Sequence, residues 1–184
     1  LAGVALGGCT GTRPVDQVRA SGDDAWDRGE FVLARAEYGE VVDRYPGDWR
    51  GQYRYGLTCL ELGAWDSART ALKVAVDRRP RNPDVADAYA RSLFHVGDRE
   101  ALVSFLRGRT QEFGTTRDWV RAAVWQKRIG DLDAALAAVE TAIELDDGQS
   151  PEPYLVAADL AETLGDRETA VRRLRQAYGV APGD

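Results

Sequence analysis

Five stretches of the chain share one pattern of small, apolar and polar positions. Each turns on a glycine, and Gly29, Gly63, Gly97, Gly130 and Gly165 are spaced by 34, 34, 33 and 35 residues. Upstream of each lies a small residue, Gly22, Gly56, Ala90, Ala123 or Ala158. Downstream come Ala34, Ala68, Ala135 and Ala170, with Leu102 in the third stretch, and then a large apolar residue: Tyr38, Leu72, Leu106, Val139 or Leu174. Asp98, Asp131 and Asp166 directly follow three of the glycines. A glycine in the left-handed conformation ends one helix, and an aspartate after it caps the next through its side-chain oxygen. The pattern therefore predicts a helix A and a helix B in every unit. Small residues on A opposite alanine on B let the two axes approach closely, and the large residue fills the space against the following unit.

Ala, Leu and Val dominate the apolar residues, and the β-branched and aromatic runs that mark strands are absent, so the expected fold is all-α. One hairpin cannot bury enough surface to be stable alone. Five of them are expected to unfold as a coupled array with weak ends.

The unit resembles the tetratricopeptide repeat, which has a small residue in helix A, a Gly turn, Ala then a large residue in helix B, and often a closing proline. Gly22, Gly29, Ala34, Tyr38 and Pro46 supply these positions in the first repeat, and Gly56, Gly63, Ala68, Leu72 and Pro80 in the second. Ala158, Gly165, Ala170, Leu174, Ala177 and Pro182 do so in the fifth. The fourth has Ala123, Gly130, Ala135, Val139 and Ala142 without the proline, and the third departs most, carrying Arg109 where a small residue is usual. The resemblance implies an α-solenoid of about five repeats wound as a right-handed superhelix. The register sets the repeats at about 15–48, 49–82, 83–115, 116–150 and 151–184.

Before the array the chain reads differently. Residues 1–8 are uncharged, apolar and small, and they run directly into Cys9. Such a run is the tail of a secretory signal, and Leu6-Gly7-Gly8-Cys9 resembles the lipobox of bacterial lipoproteins. The resemblance implies cleavage before Cys9 and acylation of its thiol, which anchors the chain to a membrane through buried acyl chains. Residues 9–14 form a short polar tether, and Thr10 in place of Asp after the cysteine points to the outer membrane, facing the periplasm. The rival reading is a cytosolic adaptor that meets a cysteine by chance.

Charge narrows the function further. A net charge of -6 with no basic stripe argues against nucleic acid. Two cysteines and one histidine cannot supply a metal site of Cys/His spacing. His95 stands at a helix end, Cys59 at a packing position, and the chain has no Gly-x-Ser-x-Gly segment. No catalytic constellation, metal site or cofactor is expected.

The resemblance places binding on the inner face of the superhelix, where a protein or peptide partner would lie. Family register selects Arg19, Asp23 and Trp26 in the first repeat, Arg50, Tyr53 and Leu57 in the second, and Arg91, Phe94 and His95 in the third. Arg117, Val124, Lys127 and Arg128 follow in the fourth. Aromatic side chains beside arginine are the usual make-up of binding hot spots, which suits an acidic or C-terminal peptide. The Lys/Asn carboxylate clamp of chaperone-binding members is not reproduced, since Asp23 and Arg54 stand where Asn is expected. The expected function is a lipid-anchored scaffold that assembles a bacterial envelope complex, for pilus assembly, secretion or outer-membrane biogenesis. The alternative within the envelope is a lipoprotein regulator of a cell-wall enzyme.

Overall fold

The computed structural model describes residues 13–180, which hold ten α-helices and no strand. They are α1 (Val15–Asp27), α2 (Phe31–Arg44), α3 (Trp49–Glu61), α4 (Trp65–Arg78) and α5 (Pro83–Val96), followed by α6 (Arg99–Glu112), α7 (Thr116–Arg128), α8 (Leu132–Asp146), α9 (Glu152–Thr163) and α10 (Arg167–Val180). The fold is all-α, of the α-solenoid class. Cys9, the residues before it and Pro182 lie outside the described residues.

Turns and caps arise as the pattern dictates. The five periodic glycines have φ between 70° and 80°, a region that costs a side-chain-bearing residue strain. After them, Asp98 accepts from the Ala101 amide at 3.0 Å, Asp131 from Ala134 at 3.3 Å and Asp166 from Thr169 at 3.0 Å. In the first hairpin Glu30 holds the cap position and makes no side-chain cap bond.

The chain divides into two compact units, Leu1–Ala75 and Val76–Asp184. In the first, close helix approach rests on glycine. A Cβ on Gly22 would stand 2.7 Å from Tyr38 Cε1, and one on Gly56 would stand 2.5 Å from Leu72 Cγ. Tyr38 is fully buried, and its hydroxyl donates to Asp23 Oδ1 at 2.6 Å. Asp23 also meets Arg54 Nε at 3.3 Å, which ties the first hairpin to the second. A further contact between these hairpins sets Val41 on Gly51, where a Cβ would lie 2.6 Å from Val41 Cγ1. Cys59 is a buried free thiol whose pKa burial pushes up. Arg13, at the end of the expected tether, pairs with Glu37 at 2.9 Å and Glu40 at 2.6 Å on α2.

In the second unit, α5–α6, α7–α8 and α9–α10 form three hairpins, with α7 packed against both α5 and α9. Val85, Leu93, Leu102, Leu106, Val120, Val139 and Leu160 fill the core. Arg109, where the pattern has a small residue, is accommodated by charge. Its Nη2 donates to Asp118 Oδ1 at 2.5 Å, its Nε to the same oxygen at 3.1 Å, and its Nη1 to the Pro80 carbonyl. Arg109 also lies over the Phe113 ring at 5.1 Å. Asp118 Oδ2 in turn accepts from the Thr115 hydroxyl at 2.6 Å. Both ends of the ion pair are nearly buried, with side-chain exposures of 11% and 8%.

The large apolar position is closed at Tyr38, Leu72, Leu106 and Val139 but 43% exposed at Leu174. Among the described residues no helix follows α10, so Leu174 stands open beside Val171 and Tyr178.

Candidate functional site

In the first unit the residues selected from the sequence are largely engaged with the fold. Arg19 pairs with Asp16 and, at 3.5 Å, with Asp48. Trp26 packs against the Ala25, Ala34 and Tyr38 cluster and meets Phe31 edge-on at 5.1 Å. Arg50 is exposed, with its guanidinium 5.4 Å from the Trp49 ring centre, and Tyr53 is half-buried.

The second unit brings four selected residues, Arg91, Phe94, His95 and Arg128, together on α5 and α7. Phe94 packs against Trp125 with ring centres 5.7 Å apart and against His95 at 5.6 Å. Arg128 lies 4.7 Å over Trp125 on the same aromatic wall. Arg91 and Arg128 act on His95, whose pKa is held below the ordinary imidazole value by partial desolvation and then by these two cations. Lys127 turns away to Asp159 on α9, at 2.6 Å.

Three functional candidates escaped the sequence reading: Asp87, Arg121 and Trp125. Arg117, Arg121, Trp125 and Arg128 recur at one-turn spacing along one face of α7, and that spacing was the signal available for Arg121 and Trp125, whereas nothing in the sequence marked Asp87 on α5. Trp125 is 2% exposed, and its indole N–H donates to Asp87 Oδ1 at 3.0 Å. Asp87 also meets Arg121, at 3.8 Å, and Asp84 pairs with Arg117 at 3.2 Å. Ala86, Ala90, Phe105 and Leu106 floor a small cleft between these groups.

The face is therefore polarised along its length. At the N-terminal ends of α5 and α7, each cation has a carboxylate opposite. Toward their C-terminal ends, Arg128 makes no ion pair among the described residues, and Arg91 and Arg128 both lower the pKa of His95. Such an arrangement suits reversible binding of an anionic group beside an apolar one. Among the described residues no cluster of His, Cys, Asp and Glu could hold a metal ion, and no helix is long and apolar enough to cross a membrane.

Comparison with known proteins agrees on the fold. Residues 19–83 match the tetratricopeptide repeat model. MamA from Desulfovibrio magneticus is 15% identical, with 90% of this chain and 94% of that one covered at a TM-score of 0.67. A thermophilic TPR protein of Thermus thermophilus is 20% identical, with 93% of each chain covered and a TM-score of 0.64. YrrB, described as a TPR protein with an unusual peptide-binding site, is 16% identical over 92% of this chain and 87% of its own, with a TM-score of 0.59. No curated protein matches the sequence. Residues 19–83 match the tetratricopeptide repeat, and the chain as a whole shares the fold of solved tetratricopeptide-repeat proteins.

Proposed function

We propose that this protein is a lipid-anchored scaffold, held to the bacterial envelope through acylated Cys9, whose repeats position protein subunits during assembly of an envelope complex. Tetratricopeptide repeats form a protein-interaction scaffold, and the peptide-binding site named for YrrB supports that reading. The observation that carries it is the α5–α7 face, where the Phe94–Trp125 pair stands beside the Arg128 guanidinium. The anchoring half rests on Leu6-Gly7-Gly8-Cys9 at the head of a repeat array.

The test is radiolabelled palmitate incorporation into the precursor in a bacterial host, native against Cys9→Ala, followed by affinity capture from the membrane fraction. Label that depends on Cys9, with envelope proteins co-captured, is the expected result. An intact precursor that takes no label would remove the anchor and send the search for partners to the cytoplasm.

A further inference from the structure

Between the expected anchor and the first helix the chain has little slack. Cys9 stands four residues before Arg13, and four residues of fully extended chain reach at most about 14 Å. Arg13 itself is strapped to α2. Its guanidinium pairs with Glu37 at 2.9 Å and Glu40 at 2.6 Å, and its carbonyl accepts from Arg44 Nη1 at 2.8 Å. Arg44 Nη1 also donates to Glu40 at 2.7 Å, which closes the group on itself. An exposed ion pair holds little by itself, but here the side chain and the backbone of one residue are gripped together. Pro14 then stiffens the entry into α1, with φ of -56° and a carbonyl that accepts from the Gln17 and Val18 amides.

The strap has a definite neighbour. The Arg44 guanidinium that holds the Arg13 carbonyl lies 5.4 Å from the centre of the Tyr45 ring, and Tyr45 is 41% exposed at the end of α2. Tyr45 therefore falls within reach of an anchor on Cys9. Val32, exposed at the other end of α2, is about 20 Å further along the helix.

We propose that the Arg13 strap seats the C-terminal end of α2 on the lipid surface that holds Cys9, with Tyr45 among the headgroups and Arg44 beside it. This rests on the anchored reading above and adds which end of α2 meets the membrane. A tyrosine ring with a guanidinium at its side is an amphipathic pair suited to headgroup depth. Charge does not bring it there. Glu37, Glu40 and the exposed Asp43 offset Arg13 and Arg44, so this end of α2 offers anionic lipid no basic patch. The short, strapped tether does so, by holding the ring at high effective concentration over the bilayer.

The test couples Cys9 of the full chain to a maleimide-headgroup phospholipid in phosphatidylcholine vesicles. Cys59 is buried, and Cys9→Ala controls for any coupling there. Benzoylphenylalanine placed at position 45 or at position 32 is photolysed, and lipid attached to the protein is read by mass spectrometry. The expected result is capture from position 45, little from position 32, and none from the uncoupled chain. A tether made about four times longer by Gly/Ser residues inserted after Gly11 should lower capture about eightfold, as the -3/2 power of its length. Arg13→Glu, which frees the chain up to α1, should lower it about twofold. Circular dichroism of each variant separates a lost seat from a lost fold.

Equal capture from positions 45 and 32, or none from position 45 of a folded, coupled chain, overturns the proposal. So does indifference to the longer tether or to Arg13→Glu, and so does capture by the uncoupled chain, which would make the surface a membrane binder without its strap. Because the coupling is chemical, this experiment and palmitate labelling fail separately. Labelled Cys9 without capture at position 45 leaves the anchored scaffold and removes this seat, whereas an unlabelled precursor removes both.

Discussion

At the scale of single residues, glycine acts here in two opposite ways. Gly22 and Gly56 are glycine because Tyr38 and Leu72 occupy the space of a Cβ. Gly56→Ala should destabilise the chain by about 1–3 kcal/mol, since Leu72 must leave its rotamer or the helices must part. Gly108, inside α6, has open space where a Cβ would go. Gly108→Ala should stabilise by about 0.5–1 kcal/mol, and urea midpoints of both variants against the native chain check the opposite signs. Sequence alone could assign Gly22 and Gly56, because they recur at the small position of the pattern. It could not assign Asp118, because nothing local marks an aspartate in the first turn of a helix as the partner of an arginine in the preceding hairpin. Arg109→Ala should cost about 3 kcal/mol by leaving Asp118 buried without its cation. In Arg109→Ala/Asp118→Val much of that loss should return, a non-additivity that a double-mutant cycle in urea measures directly.

At the scale of helices, the turn chemistry was largely legible. Gly97-Asp98, Gly130-Asp131 and Gly165-Asp166 encode a stop and a start in two residues, and all three aspartates cap the following helix. Asp166 illustrates the electrostatics. Its bonds to the Thr169 amide and hydroxyl hold its pKa below the ordinary aspartate value. A depressed carboxyl pKa stabilises the fold fully above the unfolded value, near 3.8, and loses that contribution as pH falls through the folded value. The stability difference between native protein and Asp166→Ala should accordingly be largest near neutral pH and close as the solution is taken below about pH 4. A constant difference across that range would show that the side chain acts by something other than its charge. The candidate face was only half legible. Family register found Phe94, His95 and Arg128, but Trp125 emerged only once α5 and α7 were seen side by side, with its indole donating to Asp87.

At the scale of the whole molecule, protection should grade along the array. The α10 helix buries only Ala170 and Ala177, while α5 buries seven residues including Val85, Tyr89 and Leu93. Hydrogen exchange should therefore open α10 well before α5, with amides near Leu174 and Tyr178 among the early ones. Uniform protection across both helices would mean that the array opens only globally. The pattern gives Leu174 the same place as Val139, and it is the weak ends expected of the array that set the two apart.

The Arg109–Asp118 pair also bears on how such a chain can evolve. Repeat arrays grow and shrink by copying or dropping whole units, and interchangeable apolar seams tolerate this. Here the seam between the third and fourth hairpins is written in charge, each half of it useless without the other. Losing either hairpin, or inserting a copy between them, would strand an ion in the interior. A rearrangement that separates the two hairpins should therefore cost stability unless both charges are replaced together.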